Sequence, residues 1–383
     1  MSVPPNSPEP TGSVSCLWRN LKAAEPFTTG VSLHSHTHHS RERLDFIPRV
    51  LGRVPAADRL RRWLERRHHD GPEESVRYHA AFWRPPLHPH AAYDLEAAQI
   101  RSLGLSPLVA LTDHDDLEAC ADLANLGIEA PYSLEWTVPY ESTVFHIGVF
   151  NLPPSQARSL AKVLADWTAN PAPELLPEIF AELDRLPDVL LVLNHPYFNE
   201  GRVARPDHTR LLAEFLRLSG AHVHAIELNG LRPAAENREA IHFALEIGLP
   251  VISGGDRHGR EPNANLNLTN ARSFVEFVHE IRYERVSHVL FMPQYREPIP
   301  ARYIDFIWHA VEHCGDLRGR ERWVDRIFYA NQDGSAILPL SGIWPNGGPR
   351  PVRWFLACVE FLATPRIRGT LRWALGEQGE IGV

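Results

Sequence analysis

The sequence predicts an α/β barrel, and two observations lead to that fold class. From Tyr93 onward, helical segments alternate with short apolar runs typical of strands in a parallel sheet. Histidines and acidic residues repeatedly follow the carboxyl ends of these apolar runs. In a closed barrel such strand ends converge on one rim, whereas an open sheet would spread them along a line. A barrel is therefore the fold that brings the most of these side chains together.

Length and composition are those of an ordinary folded protein. The 383 residues suffice for one large or two ordinary domains, and 44% hydrophobic residues can supply a sizeable core. The net charge of −8 disfavours a general binder of nucleic acid or membrane surfaces, because both attract cationic proteins. The widely spaced cysteines favour a reducing compartment, and neither a signal peptide nor a membrane span is recognised. The expected location is cytoplasmic.

The chain divides into three predicted regions. Residues 1–25 are rich in Pro and Ser and are expected to form a flexible tail. Residues 26–290 are expected to form the barrel. Residues 291–383 contain two amphipathic, aromatic-rich segments and are expected to form a helical extension.

Within the barrel region, the elements follow in order from the first strand, Thr28 to Leu33. An arginine-rich insertion at residues 41–92 comes next, with a helix expected at residues 59–67, and it is either a solvated surface or a cap over the site. The later helices are predicted at residues 94–104, 117–126, 156–186 with proline breaks, 209–218 and 236–247. The later strands are predicted at residues 108–112, 144–150, 189–193, 222–228 and 249–253, with a short strand ending at Glu135.

Metal-ligating side chains lie at the ends of these strands or within them. His34 and His36 are one residue apart, so they point to the same side of a strand and can bind one ion or two neighbouring ions. The further candidates are His114, Glu135, His146, His195, Asp256 and His258. Imidazoles mixed with carboxylates suit zinc, manganese or iron, and the set exceeds the four ligands of one tetrahedral ion. Two or three divalent ions are therefore predicted.

A series of motifs containing these residues occurs in a fixed order. The motifs are His34-x-His36-Thr37, Thr112-Asp113-His114-Asp115, Glu135, His146, Asn194-His195-Pro196 and Gly255-Asp256-x-His258. Over about residues 30 to 260 the series resembles the PHP family, the polymerase and histidinol phosphatase superfamily. The resemblance implies a distorted (β/α)7 barrel with two or three Zn, Mn or Fe ions. It also implies phosphoester hydrolysis by a metal-bridging hydroxide.

The resemblance also implies roles for individual residues. The implied metal ligands are His34, His36, Glu135, His146, His195, Asp256 and His258, and His114 is a ligand or a phosphate contact. Asp113 would orient its neighbours or relay a proton. The candidate catalytic residues are thus Asp113, His114 and Arg257, and Arg257 and Arg260 are candidate phosphate contacts because arginine binds phosphate bidentately.

The chain departs from the family pattern after Ser40. Many members continue with Ser-Asp-Gly, in which the acid is a further ligand, whereas this chain continues with Arg41 and Glu42. Glu42, His38 or His39 could replace that ligand, or the third ion is lost. Arg41 is a poor ligand but a candidate phosphate contact.

A second His-x-His pattern, His222-Val-His224, opens its strand instead of ending it. In a barrel this places it at the opposite rim, so we predict a structural role for both histidines.

Three functions remain open from the sequence. The favoured function is a phosphoesterase that acts on a small phosphorylated molecule or nucleotide. The second is a 3′→5′ exonuclease on single-stranded nucleic acid, which the arginine-rich insertion favours and the acidic net charge disfavours. The third is a non-catalytic, metal-stabilised barrel with a regulatory role, and a metal-dependent amidohydrolase is a weaker alternative. The sequence predicts no oligomeric state.

Overall fold

The structure, a computed structural model, describes residues 9–44, 81–199, 203–330, 336–376 and 381. The helix expected at residues 59–67 lies outside these ranges. The strands are β1 (Thr11–Cys16), β2 (Thr29–Ser32), β3 (Glu42–Arg43), β4 (Phe82–Trp83), β5 (Ser106–Val109), β6 (Tyr132–Tyr140), β7 (Thr143–Leu152), β8 (Leu190–Asn194), β9 (Ala225–Asn229), β10 (Val251–Gly254), β11 (Asn265–Thr269), β12 (Val286–Phe291), β13 (Ile327–Ala330) and β14 (Ile337–Pro339).

Helices lie between most of these strands, as the sequence predicts. They are α1 (Pro89–Ser102), α2 (Glu118–Asn125), α3 (Ala157–Ala169), α4 (Leu176–Asp184), α5 (Arg205–Ser219), α6 (Ala234–Ile247), α7 (Phe274–His279), α8 (Ile299–Val311), α9 (Trp323–Arg326), α10 (Arg350–Ala363) and α11 (Pro365–Leu375). Within the described ranges, no helix combines the length and apolar character needed to cross a membrane. The protein therefore has a mixed α/β architecture.

The main strands form two five-stranded sheets. The first has the order β1-β12-β11-β2-β5, and the second has the order β10-β9-β8-β7-β6. Isolated bridges join the sheets at two seams, between His114 and Glu135 and between Ser35 and Arg257. Among the described residues the strand pairing is not continuous around a ring, so the predicted closed (β/α)7 barrel is not confirmed.

Backbone conformation gives a physical reason for the weak seams. His34 and Asp256 follow β2 and β10 with φ values of 62° and 53°, in the left-handed region. A residue in that region leaves strand geometry, so a ladder cannot continue through it. The seam at Ser35 and Arg257, which follow His34 and Asp256 directly, is therefore limited to a bridge. At the other seam, Asp115 follows His114 with a φ value of 53° and has the same effect.

The second sheet also differs from the expected all-parallel arrangement. Strands β6 and β7 are antiparallel neighbours joined across Glu141 and Ser142, and β7 is antiparallel to β8. A two-residue connection can only produce an antiparallel hairpin, because parallel strands need a much longer crossover. As a result, Glu135 lies within the long strand β6 and not at the end of a short strand, and His146 lies within β7, as predicted.

The predicted flexible tail needs a correction. Thr11–Cys16 forms a strand that pairs in parallel with Val286–Phe291, and Thr11 N–H donates to Arg285 O at 3.0 Å. The open edge of β12 supplies the backbone partners that a Pro- and Ser-rich segment lacks by itself. The segment is therefore part of the first sheet.

The extension at residues 291–383 contains α8, α10 and α11 but is not purely helical. Its strands β13 and β14 join β4 and β3 from the arginine-rich insertion in a small sheet of order β14-β13-β4-β3. The insertion and the extension are thus one structural unit in the described part of the chain.

Candidate metal centre

Glu135 lies at the middle of the candidate site. Its carboxylate is 1% exposed, and β6 carries it toward five imidazoles from four other chain segments. Its Oε2 lies 3.1 Å from His34 Nε2, 3.3 Å from His36 Nε2 and 3.4 Å from His114 Nε2, and its Oε1 lies 3.2 Å from His195 Nε2 and 3.4 Å from His146 Nδ1. The structure therefore brings together side chains spread over more than 150 positions.

The remaining predicted ligands complete the cluster. Asp256 Oδ1 lies 3.7 Å from His34 Nε2 and 3.6 Å from His36 Nε2. Glu42 Oε2 lies 3.0 Å from His258 Nε2 and 3.3 Å from His114 Nε2. Of the residues considered as replacements for the family's acid, Glu42 is the one placed among the other ligands.

These separations suit more than one divalent ion. Two ligand atoms about 2.0–2.2 Å from one tetrahedral ion lie roughly 3.3–3.6 Å apart, close to the distances found here. One set of mutually close donors contains His36, Glu42, His114 and His258, and another contains His34, Glu135 and His195. The two sets share no residue, so the donors suffice for at least two ion positions.

Unpaired atoms give an independent test of whether a cation fits. Within the described part of the chain, His34 Nε2, His36 Nε2 and Glu135 Oε2 are buried and have no hydrogen-bond partner. Leaving such groups buried and unpaired is costly, and native structures rarely tolerate it. A bound divalent cation would satisfy all three atoms, so the residues present fit such an ion.

The outer nitrogens of several imidazoles are held by protein groups. His34 Nδ1 lies 2.6 Å from Glu227 Oε1, and His258 Nδ1 lies 2.8 Å from the backbone oxygen of Asp256. His114 Nδ1 lies 3.3 Å from Thr137 Oγ1. Such contacts fix the ring orientation and leave the other nitrogen free to face a metal.

Both central carboxylates are ionised at neutral pH. Burial raises the pKa of Glu135, but the charge of His34 and the other imidazoles outweighs burial and holds that pKa well below its usual range. Burial also raises the pKa of Asp256, and the nearby His36 imidazole and the charge of His34 again outweigh it. Deprotonated carboxylates are what a metal site requires.

Backbone strain is concentrated at the same residues. His34, His195 and Asp256 have φ values of 62°, 26° and 53°. Conformations of this kind cost on the order of 1–3 kcal/mol each and persist where the surroundings impose them. Three candidate ligands in this state indicate that the fold is constrained to aim them.

Asp113 holds the loop that follows His36. Its Oδ1 and Oδ2 accept hydrogen bonds from Thr37 N–H and Oγ1–H at 2.5 and 2.6 Å. Both oxygens are thereby engaged, which is the arrangement expected of a residue that orients its neighbours, and the alternative role of Asp113 as a proton relay stays a prediction.

The arginines predicted to contact phosphate make other contacts. Arg257 is buried, with Nε 2.8 Å from Glu96 Oε1 and Nη1 donating to Gly259 O at 2.9 Å. A buried guanidinium needs such an acidic partner, which explains the placement. Arg260 pairs with Glu312 at 3.1 Å and with Asp316 at 3.0 Å, and exposed Arg41 lies over the Phe82 ring at 5.5 Å.

Sequence reasoning missed Arg232. Its Nη2 lies 3.2 Å from Asp256 Oδ2, and its Cζ lies 3.6 Å from the centroid of the Phe198 ring. Its position three residues after Asn229, at the carboxyl end of β9, was the available signal.

Comparisons with known proteins give distant likenesses. No protein-family model matches the chain, and no curated protein does. Among solved structures, an amidohydrolase from Chromobacterium violaceum with bound sulfate aligns at 20% identity and a TM-score of 0.32, over 45% of this chain and 83% of its own. A protein from Bifidobacterium adolescentis, provisionally assigned as a metal-dependent phosphoesterase, aligns at 17% identity and a TM-score of 0.33, over 51% and 91%.

Scores this low carry no argument about activity, which rests on the site itself. The clustered histidines and carboxylates form a candidate metal site, as the PHP resemblance implies.

Proposed function

We propose that this protein is a metal-dependent hydrolase that cleaves phosphoesters of small molecules or nucleotides. The observation that carries the proposal is the pair of donor sets, without a shared residue, that meet around Glu135. When bound, two or three divalent ions would polarise the phosphoester and generate a hydroxide nucleophile at neutral pH. The protein's own part is to hold the ligands in place and to receive an anionic substrate.

The carboxylates of the protein divide this work. Glu135 places one oxygen toward His34 and His36 and the other toward His195, so it can serve two positions at once. Glu227 accepts from His34 Nδ1 and, through Oε2, from the backbone N–H of His195 at 2.7 Å. One buried carboxylate thereby orients two ligand residues from different strands.

Arg232 supports an anionic substrate. Its planar face is covered by Phe198 and one nitrogen is paired with Asp256, yet Nε has no hydrogen-bond partner among the described residues. An unpaired guanidinium edge next to a candidate metal ligand is suited to bind an oxygen of a phosphate group. Arg232 is therefore a candidate phosphate contact, whereas Arg257 and Arg260, which were predicted for that role, are paired with acidic side chains.

The hydroxyl group of Ser40 lies beside the candidate ligands His36 and Glu42 and is engaged in other contacts. Ser40 is buried, and its Oγ donates to Glu42 Oε1 at 2.5 Å while accepting from His114 N–H at 3.2 Å. It is therefore a positioning group, which favours direct hydrolysis over a covalent intermediate.

Substrate screening tests the proposal. The full chain, loaded separately with Mn²⁺, Zn²⁺ and Fe²⁺, is assayed with aryl phosphomonoesters, nucleoside mono- and bisphosphates, single-stranded oligonucleotides and a panel of amides. We expect turnover of at least one phosphomonoester, abolished by chelation and by Glu135→Gln. Hydrolysis of amides alone, or turnover of none of these by the metal-loaded chain, would contradict it. Preference for oligonucleotides would replace it with the exonuclease.

A further inference from the structure

We propose that the C-terminal extension is part of the metal centre, because its strand β13 supports the short strand that presents Glu42. The inference rests on the proposed metal chemistry, but it concerns one ion position and does not depend on the substrate.

Glu42 has a special place in its donor set. The set contains three histidines, His36, His114 and His258, and Glu42 is its carboxylate. Glu42 Oε1 lies 3.6 Å from His36 Nδ1, while Oε2 faces the other two imidazoles. Without that negative charge, three neutral imidazoles would bind a divalent cation more weakly.

The strand that carries Glu42 depends on its neighbours. Strand β3 has two residues and pairs with β4, so that Glu42 faces Trp83 and Arg43 faces Phe82. Leu44 N–H also donates to Ala81 O at 3.1 Å. An isolated two-stranded ribbon of this length is not stable in water, so it needs a further strand.

The extension supplies that further strand. In β13, Ile327 pairs with Trp83 and Phe328 pairs with Phe82, and the two phenylalanine rings stack with centroids 5.2 Å apart. Arg84 N–H donates to Arg326 O at 3.0 Å, which prolongs the pairing. The small sheet is thus completed by residues far beyond the barrel region.

Strand β13 is itself firmly anchored. Arg326, which precedes it, is 0% exposed. Its guanidinium donates to the backbone oxygens of Ala310, Glu312, Arg320 and Glu321 at 2.8, 2.8, 3.2 and 3.0 Å. These contacts tie β13 to the end of α8 and to the loop before α9.

A second contact reaches the same donor set. Phe306 on α8 lies edge-on to His258, with ring centroids 5.7 Å apart, and Trp83 stacks near the same imidazole at 6.3 Å. Two of the four donors, Glu42 and His258, are therefore positioned by the small sheet and the extension together.

Linkage makes this arrangement reciprocal. If docking of the extension raises the affinity of this ion position, then an ion bound there must stabilise the docked extension by the same factor. Binding of an ion at this position would thereby make the C-terminal extension more ordered.

The test compares three variants of the full chain. Phe328→Ala weakens the contact between β13 and β4 at a distance from the ligands, Glu42→Gln removes the charge directly, and Trp373→Ser is a matched control at an 86% exposed position of the extension. Equilibrium dialysis against Mn²⁺ or Zn²⁺, with metal analysis, measures the affinity of each ion. We expect one ion to bind at least about tenfold more weakly in the first two variants, with the control unchanged. Unchanged affinity in either variant would overturn the inference.

Hydrogen exchange of the wild-type chain provides a second measurement that does not depend on variants folding. We expect chelation to increase exchange in peptides that cover β13, and metal to restore protection. Exchange that is independent of metal would contradict the inference. If the wild type shows this coupling but hydrolyses no phosphoester, the proposed function is refuted and the inference about the extension stands. If it hydrolyses phosphoesters without the coupling, the proposed function stands and the inference about the extension is refuted.

Discussion

The two His-x-His pairs of this protein share a spacing but differ in how their nitrogens are used. His34 and His36 follow β2, and their Nε2 atoms are buried beside Glu135 with no hydrogen-bond partner among the described residues. His222 and His224 precede β9 instead, and each has a nitrogen 2.9 Å from a different oxygen of Asp184.

The second pair is internally satisfied. His224 Nδ1 accepts from Leu191 N–H at 3.0 Å, and Arg282 Nη2 lies 2.6 Å from Asp184 Oδ1. The arginine neutralises the carboxylate, so the cluster needs no metal cation. Buried donor atoms without a hydrogen-bond partner, and not the His-x-His spacing, therefore mark the first pair as the candidate metal site.

The largest expected difference lies between the central carboxylates. Glu135→Gln keeps the shape of the side chain but removes the charge shared by several ligands, and we expect phosphoester turnover to fall at least about 10³-fold. Asp184→Asn, the equivalent change in the other cluster, should leave kcat/KM within about twofold. Steady-state kinetics at saturating metal measure kcat/KM of both variants. Equal losses would contradict a special role for Glu135.

Metal removal should affect stability through the first pair alone. An ion at about 100 times its Kd stabilises the folded state by about 2.7 kcal/mol, so added Zn²⁺ or Mn²⁺ should raise the Tm of the chelated protein by several degrees. We expect Glu135→Gln to reduce this shift and the double variant H222N/H224N to retain it. Thermal unfolding with and without metal measures the shift in Tm. Loss of that shift in H222N/H224N would indicate that the metal binds at the second pair, contrary to this prediction.

A smaller effect is expected at the carboxylate that orients His34. Glu227→Gln leaves every proposed ligand in place but weakens the contact to His34 Nδ1, and such changes typically reduce metal affinity 10- to 100-fold. Competition with a chromophoric chelator measures the affinity. An unchanged affinity would show that His34 needs no orienting partner.

The smallest effect concerns the pH dependence of the second pair. Burial raises the pKa of Asp184, but hydrogen bonds from His224 and His222 and the charge of Arg282 outweigh burial and lower the pKa from 3.8 to about 2. A depressed carboxyl pKa stabilises the fold above the unfolded value and loses that contribution as pH falls from about 4 toward 2. Because the group is partly exposed, we expect about 1–2 kcal/mol. Urea unfolding of wild type and Asp184→Asn should therefore differ at pH 6 and converge toward pH 2, whereas a constant difference would contradict this.

Some features of the site could be predicted from the sequence and others could not, because sequence patterns show local periodicity and not long-range pairing. The grouping of His34, His195 and Asp256 could be predicted from the sequence, because the alternation of helices and strands places the carboxyl ends of the strands on one rim. The contribution of β13 to Glu42 was not readable, because pairing between two-residue strands from distant segments leaves no periodicity. Likewise, the contact made by the Arg257 side chain could not be predicted, because its buried partner, Glu96, lies 161 positions away in the sequence.

The decisive measurement is X-ray diffraction from crystals of the metal-loaded full chain, with anomalous data collected at the absorption edge of the bound metal. We expect at least two anomalous peaks around Glu135, within coordination distance of the surrounding imidazoles, and no peak at Asp184. An absence of metal at Glu135 in crystals grown with excess Zn²⁺ or Mn²⁺, or a peak between His222 and His224 instead, would contradict it.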